Sequence, residues 1–82
     1  MELRKGQIVK SVKGHDKGDL LMIADFDEKR VLLCDGKQRK LNKPKVKNLR
    51  HVELTGFEVD IKEVDTDRKL RKTLNKIANP GG

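Results

Sequence analysis

Seven cationic side chains, Lys37, Arg39, Lys40, Lys43, Lys45, Lys47 and Arg50, fall within one short segment that contains no Asp or Glu. An ammonium group acts on phosphate oxygens as a point charge, and a guanidinium can present two parallel N–H groups to one anion. The chemistry available here is recognition of a polyanion. The segment's charge equals the net charge of the whole chain, +7. Upstream, Lys and Arg at 4, 5, 10, 13, 17, 29 and 30 are balanced by Asp and Glu at 2, 16, 19, 25, 27, 28 and 35, and downstream of Arg50 the two signs balance again. Charge gathered in one block concentrates potential where a polyanion can neutralise it, so nucleic acid is the first partner to consider. The alternative is a solubilising surface, and the absence of interspersed acids favours a binding face.

A second constellation is Lys13-Gly14-His15-Asp16-Lys17-Gly18. Glycines in such a turn let the backbone approach a phosphate closely, and Lys13 and Lys17 add charge beside it. The glycines suit a plain turn equally well, Asp16 is suited to bonding nearby backbone, and His15 reads as exposed. Phe26 and Phe57 are the only Phe, Trp or Tyr residues. Stacking of bases on aromatic rings is therefore not the main mode of contact, which leaves phosphate charge and the shape of double-stranded or folded RNA.

Enzymatic chemistry finds little purchase. No Cys-His-Asp spacing, phosphate loop or paired-carboxylate site stands out. Cys34 ends the apolar run Val31-Leu32-Leu33-Cys34 and reads as a small buried side chain, and His15, Cys34 and His51 lack paired metal-ligand spacing. Neither a cofactor nor a small-molecule substrate is expected. The longest apolar run, Leu20 to Ala24, is broken by Asp25 and falls far short of the roughly 20 residues that span a membrane. The charged opening MELRKGQIV differs from a signal peptide, and the expectation is a cytoplasmic protein without membrane association.

The elements that must position these groups are mainly β. With 82 residues, 34% of them hydrophobic, the chain can build one small core. Strand signals cover Gln7–Lys13, Leu20–Phe26 and Arg30–Cys34, separated by the Gly14–Gly18 turn and a polar reversal at Asp27-Glu28-Lys29. Asp35-Gly36 predicts a tight hairpin into a polar fourth strand over Lys37–Leu41. Pro44 places Asn42–Val46 at a sheet edge or in a loop, and a fifth strand is expected around His51–Leu54. Short strands with tight turns suggest a small barrel, because closure leaves fewer edges. Its core would draw on Ile8 or Val9, Val12, Leu20–Ile23, Phe26, Val31–Leu33, Leu41, Leu49 and Val52. Further on, Leu70, Leu74 and Ile77 recur at helical spacing, Thr66 can cap the helix, and Asn79-Pro80-Gly81-Gly82 ends it. Its apolar stripe would pack on the barrel or meet a second copy of the chain, and its basic face reads as ordinary surface. Residues 1–56 would form the barrel, and 57–82 the connecting segment and helix packed on the same domain.

Gly6-Gln7-Ile8-Val9-Lys10-Ser11 followed by Gly14–Gly18 resembles the KOW motif of ribosomal proteins and transcription elongation factors. Val31–Gly36, Arg39, Asn42–Lys45 and Leu49–His51 extend the likeness to the small bacterial KOW-domain RNA-binding proteins related to archaeal and eukaryotic large-subunit ribosomal proteins. The resemblance implies an SH3-like barrel of about five strands that binds structured RNA, typically ribosomal, with the first turn reaching the ligand. The RNA-binding set is then Lys13, Gly14, His15, Lys17, Gly18, Lys37, Arg39, Lys40, Lys43, Lys45, Lys47 and Arg50, with ribosomal RNA or the ribosome as partner and a role in translation. The competing reading is an adaptor that binds a protein of the ribosome or RNA polymerase. The absence of Trp and Tyr denies it an aromatic peptide groove.

Overall fold

Successive residues of an extended strand point to opposite faces, so Ile8 and Val9 stand back to back, and both are fully buried. The sheet therefore has a core on each side. In the computed structural model, which describes residues 2–79, Ile8 packs with Met22, Cys34, Val64, Leu70 and Leu74. Val9 packs on the other face with Leu21, Ile23, Val31 and Leu33.

Five strands form one antiparallel sheet: β1 (Gln7–Ser11), β2 (Leu20–Phe26), β3 (Arg30–Cys34), β4 (Lys45–Asn48) and β5 (Val52–Glu58), in the order β4-β3-β2-β1-β5. Register shifts at Ile23/Asp25 in β2 and Gln7/Val9 in β1 bend the sheet, as bulges do. It curls around the Val9 cluster without closing, since β4 and β5 remain edges joined by a 3-10 turn over Leu49–His51. Asn48 caps that turn by accepting from Arg50 N at 2.8 Å. The mainly β architecture with one terminal helix is thus the observed one, and it is barrel-like in curvature only.

α1 (Asp67–Ala78) lies over the Ile8 face. Thr66 caps it, its Oγ1 accepting from Lys69 N at 3.2 Å. Leu70 and Leu74 are buried in the chain's own core and Ile77 is half-buried against it, so the apolar stripe covers the sheet of the same chain. Asn79 is the C-cap, and Pro80, Gly81 and Gly82 lie outside the described residues. No helix among the described residues is long and apolar enough to cross a membrane.

Three details differ from the sequence pattern. Lys37–Leu41 forms no strand: Asp35 Oδ1 accepts from Lys37 N and Arg39 N, both at 2.9 Å, and this side chain folds the segment into a loop. The fourth strand begins instead at Lys45, directly after Pro44 and at the sheet edge, where a residue without an N–H does least harm. Val12 and Phe26, expected inside, are 38% and 37% exposed, because Val12 lies just beyond β1 and Phe26 ends β2 past its bulge.

Candidate nucleic-acid interface

The β1–β2 turn is built by short-range bonds. Gly18 N donates to Ser11 O at 2.7 Å and Lys17 N to Gly14 O at 3.2 Å, while Ser11 Oγ lies 2.8 Å from Asp16 Oδ1. Gly14 has φ +95°, and an added Cβ there would meet Asp16 Oδ1 and Lys47 Nζ, both at 3.5 Å. The turn is thus shaped around an ion pair. Lys13, His15 and Lys17 stand exposed on it.

Lys47 supplies that ion pair from β4. Its Nζ donates to Asp16 Oδ1 at 2.6 Å and to Lys13 O at 2.7 Å, and the residue is 8% exposed. Lys45 Nζ stands 4.0 Å from Asp16 Oδ2, an oxygen with no hydrogen-bond partner among the described residues. Burial pushes the Asp16 carboxyl up. Hydrogen bonds from Lys47 and Ser11, with the charges of Lys47 and Lys45, outweigh it and hold the group at about 2. Asp16 therefore stays ionised at neutral pH and ties edge strand β4 to the turn, across a gap that no backbone ladder spans.

The register explains an orientation that the lysine-valine alternation hid. Lys47 pairs with Val31 and Lys45 with Leu33, so both lysines share the inner face with two core residues. Val46, paired with Leu32, points outward and is 54% exposed. Lys47 is consequently a clip for the turn, with its charge neutralised by Asp16. The feature in the sequence that could have flagged this is Asp16 itself, the one carboxylate among the cations of the turn.

The structure brings the two predicted constellations together. Lys45 borders the Gly14–Gly18 turn, while Lys37 lies across from Gly18 at one cleft. Lys40 and Lys43 are exposed on the 35–44 loop and line a shallow depression together with half-buried Arg39 and Lys45. Among the described residues none of Lys13, Lys17, Lys37, Arg39, Lys40 and Lys43 forms an ion pair. Arg50 stands apart. It follows β4 at the other end, beside Glu28 and Lys29 of the β2–β3 turn.

Asp67 stands in the first turn of α1, where a negative charge suits the positive end of the helix dipole. Its Oδ1 accepts from Leu41 N at 2.8 Å, and a Cβ on Gly36 would collide with its carbonyl oxygen. These contacts fasten α1 to the cation-bearing loop. Cys34 is fully buried, and burial, helped by the charges of Asp35 and Asp67, pushes its thiol up to about 11. Such a thiol stays protonated at neutral pH and is a poor nucleophile. Among the described residues no three His, Cys, Asp or Glu side chains gather where they could hold a metal ion. Compared with known proteins, the chain matches no family model and no curated protein.

Proposed function

We propose that this chain is a non-catalytic RNA-binding module of the cytoplasm, resembling the KOW-domain proteins, that holds folded RNA, ribosomal RNA foremost, through phosphate charge and shape. The observation that carries this reading is the approach of the β1–β2 turn to the 37–47 segment, where Lys47 and Lys45 meet Asp16 and Lys37 shares a cleft with Gly18, while Lys13, Lys17, Lys37, Arg39, Lys40 and Lys43 form no ion pair among the described residues. Lys13, Lys17, Lys37, Arg39, Lys40, Lys43 and Lys45 are its phosphate contacts, and Gly14 and Gly18 shape the turn that approaches the backbone. Lys47 acts by holding that turn. His15 is exposed on the same turn, and Arg50, at the other end of β4, lies outside the face.

Counterion release provides the test. If about five or six of these groups neutralise phosphates, log affinity for an RNA hairpin falls with log salt at a slope of roughly −4 to −5. Replacing Lys40, Lys43 and Lys45 with Glu abolishes most binding and flattens the slope. Unchanged affinity in that triple variant would remove this face from the site.

One feature favours a protein partner as a second reading. Phe26, Leu32 and Val46 line a shallow depression around the β2–β3 hairpin, next to the unpaired edge of β4. A pull-down with and without ribonuclease separates the two: partners that survive complete RNA digestion favour the adaptor.

A further inference from the structure

Where the β1–β2 turn, the 35–44 loop and α1 meet, a cleft of about 450 Å³ opens beside the cationic face. Its chemistry differs from that of the face. Leu20 and Leu74 give it an apolar floor, Lys37 and Arg71 bring positive charge, and Asp19 and Asp35 bring carboxylates. Two of its walls are fixed to each other, since Asp67 Oδ1 binds Leu41 N at 2.8 Å and the α1 backbone packs directly on Gly36. Arg71 shares this contact, its Cγ lying 3.2 Å from where a Gly36 Cβ would be.

Carboxylates oppose a phosphate track. They serve a ligand that also presents hydrogen-bond donors. Asp35 Oδ1 is already engaged with the loop's own amides, whereas the Asp19 side chain forms no ion pair or hydrogen bond among the described residues. A nucleotide offers both kinds of group: a phosphate for Lys37, and a base whose edge can donate to Asp19. Guanine suits the position best, because its N1–H and N2–H₂ donors point the same way toward one carboxylate, while adenine places an acceptor at N1. The Arg71 guanidinium supplies a plane against which a base can stack, in a chain that has few aromatic rings to do so. The volume lies within the range of small-ligand clefts.

We propose that this cleft receives one unpaired guanine extruded from the folded RNA held by the adjoining cationic face. The inference rests on the RNA-binding reading and adds a base-specific subsite to it. Asp19 accepts from the base edge, Arg71 stacks on the ring, and Lys37 meets the flanking phosphate.

The test uses three RNA hairpins of matched charge, carrying a bulged guanine, a bulged adenine or no bulge, titrated against the full chain. The wild type should bind the guanine bulge roughly tenfold more tightly than the adenine bulge, the size of one good base-edge contact. Asp19→Asn should bring the two bulges to within about twofold of each other, and any gain from the lost negative charge should appear in the unbulged hairpin as well. Arg71→Ala should weaken both bulged hairpins alike, since stacking tolerates any base. Lys40→Glu with Lys43→Glu should weaken all three together. Equal wild-type affinity for the three hairpins, or a guanine preference that survives Asp19→Asn, overturns the subsite while leaving the cationic face standing. Failure of the wild type to bind any hairpin overturns both.

Discussion

A lysine in a basic segment is ordinarily a surface charge, and Lys47 shows what makes one different. Its ammonium is buried against Asp16 and Lys13 O, so removing it leaves a carboxylate with little water, held only by Ser11 and by Lys45 at 4.0 Å. Lys47→Met is expected to destabilise the fold by about 3 kcal/mol, measured by chemical denaturation, and Asp16→Ala combined with Lys47→Met by less than the two single changes together. Additive losses would show that the pair is not coupled. Acid should report the same contact. Asp16 titrates at about 2 in the folded chain against its ordinary 3.8, so its contribution is complete above about 4 and is lost as pH falls toward 2. A wild-type stability curve flat across that window, relative to the double variant, would contradict the assignment. Composition identified the cations but not this division among them. Lys45, Lys47 and Lys43 look alike as letters, and only the pairing of Lys47 with Val31 and of Lys45 with Leu33 turns two of them inward, of which Lys47 alone is buried.

Among the elements, the first three strands and the capped helix were readable because their signals are local: the short-period mixture of apolar and polar residues in β1, the apolar runs of β2 and β3, and the Leu70-Leu74-Ile77 spacing behind Thr66. The misread stretch is Lys37–Leu41. Asp35-Gly36 is a hairpin signal when the chain turns straight back, but here the Asp35 carboxylate takes two amides that a hairpin strand would use, and Gly36 serves the helix. Gly36 holds φ +76° and lies directly under the Asp67 carbonyl. Gly36→Ala must therefore displace the start of α1 as well as strain the backbone, at a cost of about 2 kcal/mol in thermal or chemical unfolding. A neutral substitution would mean that the loop and helix are not packed as described. Ile8 and Val9, which alternation alone could not rank, are both interior because the sheet is covered on one face by α1 and curls over its own other face.

At the scale of the whole molecule, a net charge of +7 is arranged on a fold whose two cores lie on either side of one sheet, leaving the turns at one end free to gather cations. The candidate face was legible in outline as a charge block and a glycine-bounded turn some twenty residues apart in sequence. Their adjacency was not, since it depends on sheet curvature set by bulges and on the Asp16–Lys47 contact across the open side of the sheet. The most direct measurement of the central claim is an NMR titration of the isotopically labelled chain with an RNA hairpin at about 0.15 M salt, where the Debye length has shrunk to roughly 8 Å and only close charges count. The account predicts amide shifts concentrated at residues 13–18 and 37–45. Shifts confined to Phe26, Leu32 and Val46, or none at all, would contradict it.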